Sequence, residues 1–190
     1  DRTYDASDFA KYFANFIGNG VYGSPADQLK VVPNNGLSVK VKAGKAFIDG
    51  YWYELDEDKT IQLSVNTGTG SSSSVIVAEL NKTNRAIVVK AREFVSSVYP
   101  INSSNIHELV LAVITNNVGA TVITSGYISD TRLKSEYCGL VTGLIKQLDI
   151  GTAYSQLEAQ FNTWFDSVKG TLSGDVAANL QKQINDLPTI

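Results

Sequence analysis

The chain has 190 residues, 16 Lys and Arg against 19 Asp and Glu, and a formal charge of -3, with a pI near 5.1. An acidic balance without a basic run excludes a general nucleic-acid binder, which is built from clustered Lys and Arg. The single cysteine excludes a disulfide scaffold or a Cys-ligated zinc site, and no run nears the roughly 18 to 20 apolar residues of a membrane span, which argues against membrane insertion.

The opening reads as a helix within residues 1–20. Asp5 or Ser7 can cap it, and Phe9, Tyr12, Phe13, Phe16 and Ile17 recur at three- and four-residue spacing before Gly18-Asn19-Gly20 ends it. So aromatic a stripe on so short a helix calls for a surface to cover it, either the rest of the chain or a neighbouring protein. Phe9, Phe13 and Phe16 are therefore candidate docking residues.

From Leu29 the period changes to two. Leu37, Val39 and Val41 alternate with Ser38, Lys40 and Lys42, the pattern of a strand with one wet face. Ala46-Phe47-Ile48 and Tyr51-Trp52-Tyr53 flank Asp49-Gly50, a dipeptide suited to a tight type I′ turn, which predicts a hairpin. Ile61, Leu63 and Val65 alternate next, and Gly68 to Ser74 reads as a loop too polar to pack.

Val75 to Leu80 and Ala86 to Arg92 predict a second hairpin across Asn81 to Asn84, with both strands central because their apolar runs are nearly continuous. Leu109 to Ile114 is a third buried run, turned by Asn116 to Gly119 toward a strand at Thr121 to Thr124. About eight strands at regular spacing predict a mainly β module over residues 21–135, an antiparallel β-sandwich or barrel-like fold.

Residues 136–190 read as a linker followed by helices. Ile150, Tyr154, Leu157, Phe161, Trp164 and Val168 are spaced 4, 3, 4, 3, 4, so all fall on one stripe of a helix over about 151–169. Gly170 to Gly174 breaks it, and a second helix follows with Ala177, Leu180, Ile184 and Leu187 spaced 3, 4, 3 before Pro188. Tyr154, Leu157, Phe161, Trp164, Val168, Leu180 and Ile184 are the candidate oligomer interface. The aromatic bulk of Tyr154, Phe161 and Trp164 favours trimers or larger bundles over a tight two-stranded coil, while an antiparallel fold-back of the two helices would bury the stripe within one chain.

Little in the chain points to catalysis. His107 is the only histidine, and Cys138 has no second ligand or base in its motif. Glu54, Asp56, Glu57 and Asp58 lack the Gly and terminal bidentate Glu of an EF-hand loop and define no glycosidase pair, so they read as a solvated turn. Gly18-Asn19-Gly20 lacks the preceding strand and the Lys-Ser/Thr of a phosphate loop. Tyr51, Trp52 and Tyr53 can stack on sugars, but alternation sends Trp52 to the face opposite its neighbours. The expectation is a protein that is not an enzyme and needs no cofactor or metal. The start without methionine and the end at Leu187-Pro188-Thr189-Ile190 read as those of a piece of a longer chain.

The run Asp1-Arg2-Thr3-Tyr4-Asp5-Ala6 with Asp8-Phe9-Ala10, Phe13 and Phe16-Ile17-Gly18-Asn19-Gly20-Val21 resembles the N-terminal region of tail-fibre or upper-baseplate proteins of long-tailed phages and prophages of Gram-positive bacteria. Val41 to Ala46 with Ile48-Asp49-Gly50-Tyr51, Ile128 to Arg132 and Cys138 to Gly143 extend the likeness in order over about residues 1–145. The resemblance implies a virion structural protein, assembled in the bacterial host cytoplasm, that docks to other tail or baseplate proteins at the tail tip. It implies helices that begin a homotrimeric stalk toward receptor-binding parts, with host cell-wall glycan met through parts outside this chain. No catalytic residue is carried over; Gly50, Asp130 and Arg132 are expected to set the fold, the last two by pairing.

Overall fold

The structure, a computed structural model, describes residues 6–144 and 155–166 together with Ala178 and Lys182. The chain divides into two units, Asp1–Ile145 and Lys146–Ile190. The first is mainly β: helix α1 (Ala6–Ala14) precedes ten strands, β1 (Gly20–Val21), β2 (Val31–Pro33), β3 (Ser38–Val41), β4 (Gly44–Ile48), β5 (Tyr51–Leu55), β6 (Lys59–Gln62), β7 (Ser72–Asn81), β8 (Ala86–Val95), β9 (Ile106–Asn116) and β10 (Ile128–Asp130). They form three antiparallel sheets, β1-β4-β5, β2-β3-β6 and β10-β9-β7-β8.

Apolar side chains from all three sheets meet in one core. Val21, Val39, Val41, Ile48, Ile76, Leu80, Leu109 and Leu111 are each buried there. The large sheet has apolar side chains on its other face too, where Val75, Val77 and Val110 lie under Val98 and Tyr137. Both faces of β7 are therefore covered, which accounts for its unbroken run of buried residues from Ser74 to Ala78.

Three expectations are corrected. β8 is an edge strand, not a central one; Val89 is its one fully buried residue and Val88 is exposed. Residues 121–124 form no strand: Ile123 plugs the core from coil, its N–H donating to Gly36 O at 3.0 Å. The Gly/Ser segment packs after all, because Ser72 to Ser74 pair with β9 and Asn66 satisfies the polar backbone around them. The Asn66 amide donates to Gly70 O and Asn116 O, each at 2.9 Å, while its Oδ1 accepts the Gly68 N–H. The alternation of a strand is visible in sequence; a side chain that ties down a loop fifty residues away is not.

The Asp130-Thr131-Arg132 segment is held by a bulge. Leu111 falls where the β7–β9 register shifts and has no partner on β7. Its carbonyl accepts the Thr131 N–H at 3.1 Å, and the Thr131 hydroxyl donates to Val110 O at 2.6 Å. Arg132, nearly buried, forks onto both Asp130 oxygens and donates to Ala26 O and Gln28 O, the last at 2.7 Å. The pairing of Asp130 and Arg132 is thus present, and it also pins the 26–28 loop. Arg132→Ala orphans those two carbonyls and is expected to lower stability by about 2 kcal/mol, read from denaturant midpoints at constant m.

Candidate docking surface

Helix α1 ends at Ala14, ahead of the Gly18-Asn19-Gly20 run expected to end it. The Phe16 and Ile17 N–H groups both reach back to Phe13 O, and Ile17 then bridges Gly143 as extended chain. The side of α1 that meets the sheets is not its aromatic stripe. Ala10 is its one buried residue, and it lies against the Asp49-Gly50 turn of the β4–β5 hairpin. Gly50 has φ +87°, and a Cβ built on it would stand 1.7 Å from Ala10 O. Only a glycine in the turn allows the two backbones to come this close.

Seating the helix through alanine leaves its aromatic residues outward. Phe9, Tyr12 and Phe13 are 60, 59 and 46% exposed. Tyr12 packs edge-on against Phe13 and Phe16, with ring centroids 5.7 and 4.9 Å apart. Phe16 is half-buried. The end of the first unit runs beside this helix: the Leu144 N–H donates to Phe16 O at 2.8 Å, and Gly18 N–H donates to Thr142 O at the same distance. Leu144 is half exposed. Gly20 makes this return possible, since a Cβ there would meet Gly139 O at 2.6 Å. The glycine-rich stretch thus serves a close backbone crossing.

Asn19, between those glycines, clamps the hairpin turn. Its Oδ1 accepts the Asp49 N–H at 2.7 Å and its amide donates to Asp49 Oδ1 at 3.0 Å. Asp49 also faces His107 Nδ1 at 2.8 Å and Lys82 Nζ at 2.9 Å. The His107 hydrogen bond, aided by Lys82 and Asn19 against the cost of burial, holds the Asp49 carboxyl well below the usual carboxylate range. A depressed carboxyl pKa stabilises the fold above the ordinary value near 4, and that stability is lost as pH falls toward the folded value. Asp49→Asn is therefore expected to cost about 1 kcal/mol at pH 7. It should also flatten the loss of stability below about pH 4, measured by urea unfolding across the pH range. The lone histidine has a structural partner that sequence spacing could not reveal, since the two residues lie far apart in the chain.

The other candidate groups are placed as follows. Trp52 is exposed on the edge strand β5, facing away from the half-buried Tyr51 and Tyr53, with Lys45 Nζ 5.7 Å from its ring. Glu54 pairs with Lys45 and Asp58 with Lys42, while Asp56 and Glu57 point to solvent. Among the described residues, no three His, Cys, Asp or Glu side chains converge as a metal site. Burial pushes the Cys138 thiol up to about 12, so it stays protonated and unreactive near neutrality.

In the second unit, residues 155–166 are helical. Leu157, Phe161 and Trp164 are 63, 56 and 58% exposed, and Phe161 contacts both Trp164 and Phe165. Tyr154, Val168, Leu180 and Ile184 lie outside the described residues. No protein-family model matches the chain, and no curated protein matches it.

Proposed function

We propose that this chain is a phage virion structural protein: a tail-fibre or baseplate module that docks to the tail tip and associates with itself to present receptor-binding parts for host attachment. The observation that carries the reading is the outward aromatic face of α1. A helix seated by alanine, with Phe9, Tyr12 and Phe13 turned to solvent, supports a role in docking, because monomeric proteins rarely spend large aromatic residues on water. The exposed Leu157, Phe161 and Trp164 of the second unit support self-association, with a homotrimeric coiled-coil-like stalk the form their bulk favours. The β part of the first unit is read as the sandwich or barrel-like body of the module. The N-terminal likeness to tail-fibre and upper-baseplate proteins agrees with each part.

Immunogold labelling of phage particles from the encoding strain, with antibody raised to this chain, tests the reading. Label at the tail tip is expected. Particles that carry no label would contradict it.

A second reading, a module that recognises a cell-surface glycan, has the exposed Trp52 in its favour. It requires saturable glycan binding by this chain that Trp52→Ala abolishes. A lone aromatic ring on an edge strand is a small platform beside the cluster on α1.

A further inference from the structure

Between α1 and the turns that follow β4 and β7 lies a cleft of about 550 Å3. The alanine side of α1 and Tyr51 line it together with three cations, Lys11, Lys82 and Arg85. Asp49 is the one carboxylate among the described lining residues, and it is already held by Lys82 and His107. Arg85 makes no ion pair among the described residues. Lys11 reaches Asp8 only at 3.9 Å, with 76% of its side chain exposed. Among its described lining residues three cations therefore face one carboxylate, a net positive charge beside an apolar surface.

The opposite charge lies at the far end of β5. There the chain turns through Asp56-Glu57-Asp58. Asp58 is taken by Lys42 Nζ at 2.9 Å and by the Ala43 N–H, whereas Asp56 and Glu57 are exposed and make no ion pair among the described residues. The five residues of β5 hold the two patches roughly 15 Å apart at 3.2 to 3.4 Å per residue. The acidic turn cannot fold into its own cleft, but it can enter that of another copy. Complementary patches at opposite ends of one element define a heterologous contact, which closes into a ring when the rotation between copies allows.

We propose that the Asp56-Glu57 turn of one copy docks on the Lys11, Lys82 and Arg85 cations of the next, head to tail. The inference rests on the self-association proposed above and adds to it a contact made by the β body.

The test is sedimentation of the full chain over a concentration series. Lys11→Glu with Arg85→Glu, and separately Asp56→Lys with Glu57→Lys, should each weaken association about ten-fold or more. The chain carrying all four reversals should regain it, since its cleft and turn are complementary again with the signs exchanged. All four positions are exposed, so far-UV circular dichroism should show an unchanged fold. Association unaltered by either pair, or lost in both and not regained in the fourfold variant, overturns the proposal. Leu157→Asp with Trp164→Asp reports on the helix stripe alone: loss there, with no effect of the charge reversals, removes this contact and leaves the helical one. A wild-type chain that is monomeric at every concentration removes both. Saturable capture of a poly-glutamate peptide by a monomeric chain would assign the cleft to another acidic partner and overturn the second-copy assignment.

Discussion

Replacing Gly50 by alanine is expected to unseat α1 from the sheets and to lower stability by about 3 kcal/mol or more. Two costs add. The backbone at Gly50 sits at φ +87°, where an L side chain loses about 1 to 2 kcal/mol. The new methyl would also stand 1.7 Å from Ala10 O and 2.7 Å from Ala10 Cα, and backbone atoms, unlike the end of a flexible side chain, cannot swing aside. The helix must lift, which opens the contact around the one residue it buries. Gly119→Ala is the control: φ there is +67° with open space around it, so the conformational cost of about 1 kcal/mol stands alone. Limited trypsin digestion at Lys11 separates the two, with cleavage at least ten-fold faster in Gly50→Ala and unchanged in Gly119→Ala.

Glu108→Ala is expected to cost about 4 kcal/mol, a fall in Tm of roughly 10 °C for a chain of this size. The Glu108 side chain on β9 is fully buried, with its Oε1 2.8 Å from Arg92 Nε on β8. Those two atoms meet as charges without an aligned hydrogen bond. Glu108 Oε2 accepts the Ile101 N–H at 2.8 Å, and the Arg92 guanidinium donates to Tyr99 O at 3.0 Å. The pair therefore straps the loop over residues 96–105 onto the second face of the large sheet. Truncation leaves a mostly buried guanidinium without its counter-charge and strands the Ile101 N–H. Glu108→Gln keeps an acceptor for Ile101 and should lose about half as much. A Glu108→Gln variant as stable as the wild type would show that the charge contributes nothing.

What the sequence made legible was local. The Asp49-Gly50 hairpin stands where its dipeptide placed it, with Asp49 at φ +49° and Gly50 at +87° and Ile48 opposite Tyr51. The pairing of β7 with β8 followed from two apolar runs around a polar turn. The pairing of Asp130 with Arg132 was also within reach, because the two lie two residues apart. What stayed hidden depends on residues brought together from afar. A near-continuous apolar run marks burial on two faces, yet it could not tell the central β7 from the edge strand β8, since neighbours decide that. The aromatic stripe of α1 was plain in sequence, but not the side on which the helix would dock. That was set by Gly50, some forty residues on, which admits Ala10 and turns the aromatic residues outward.

The central claim, that the exposed apolar surfaces of this chain exist to be covered by other copies and by a docking partner, is tested most directly by the mass of the full chain in solution. Light scattering over a range of concentrations should report about three times the 20.5 kDa of one copy, falling toward one copy in Leu157→Asp with Trp164→Asp. A wild-type chain that holds the mass of a single copy throughout would contradict the account.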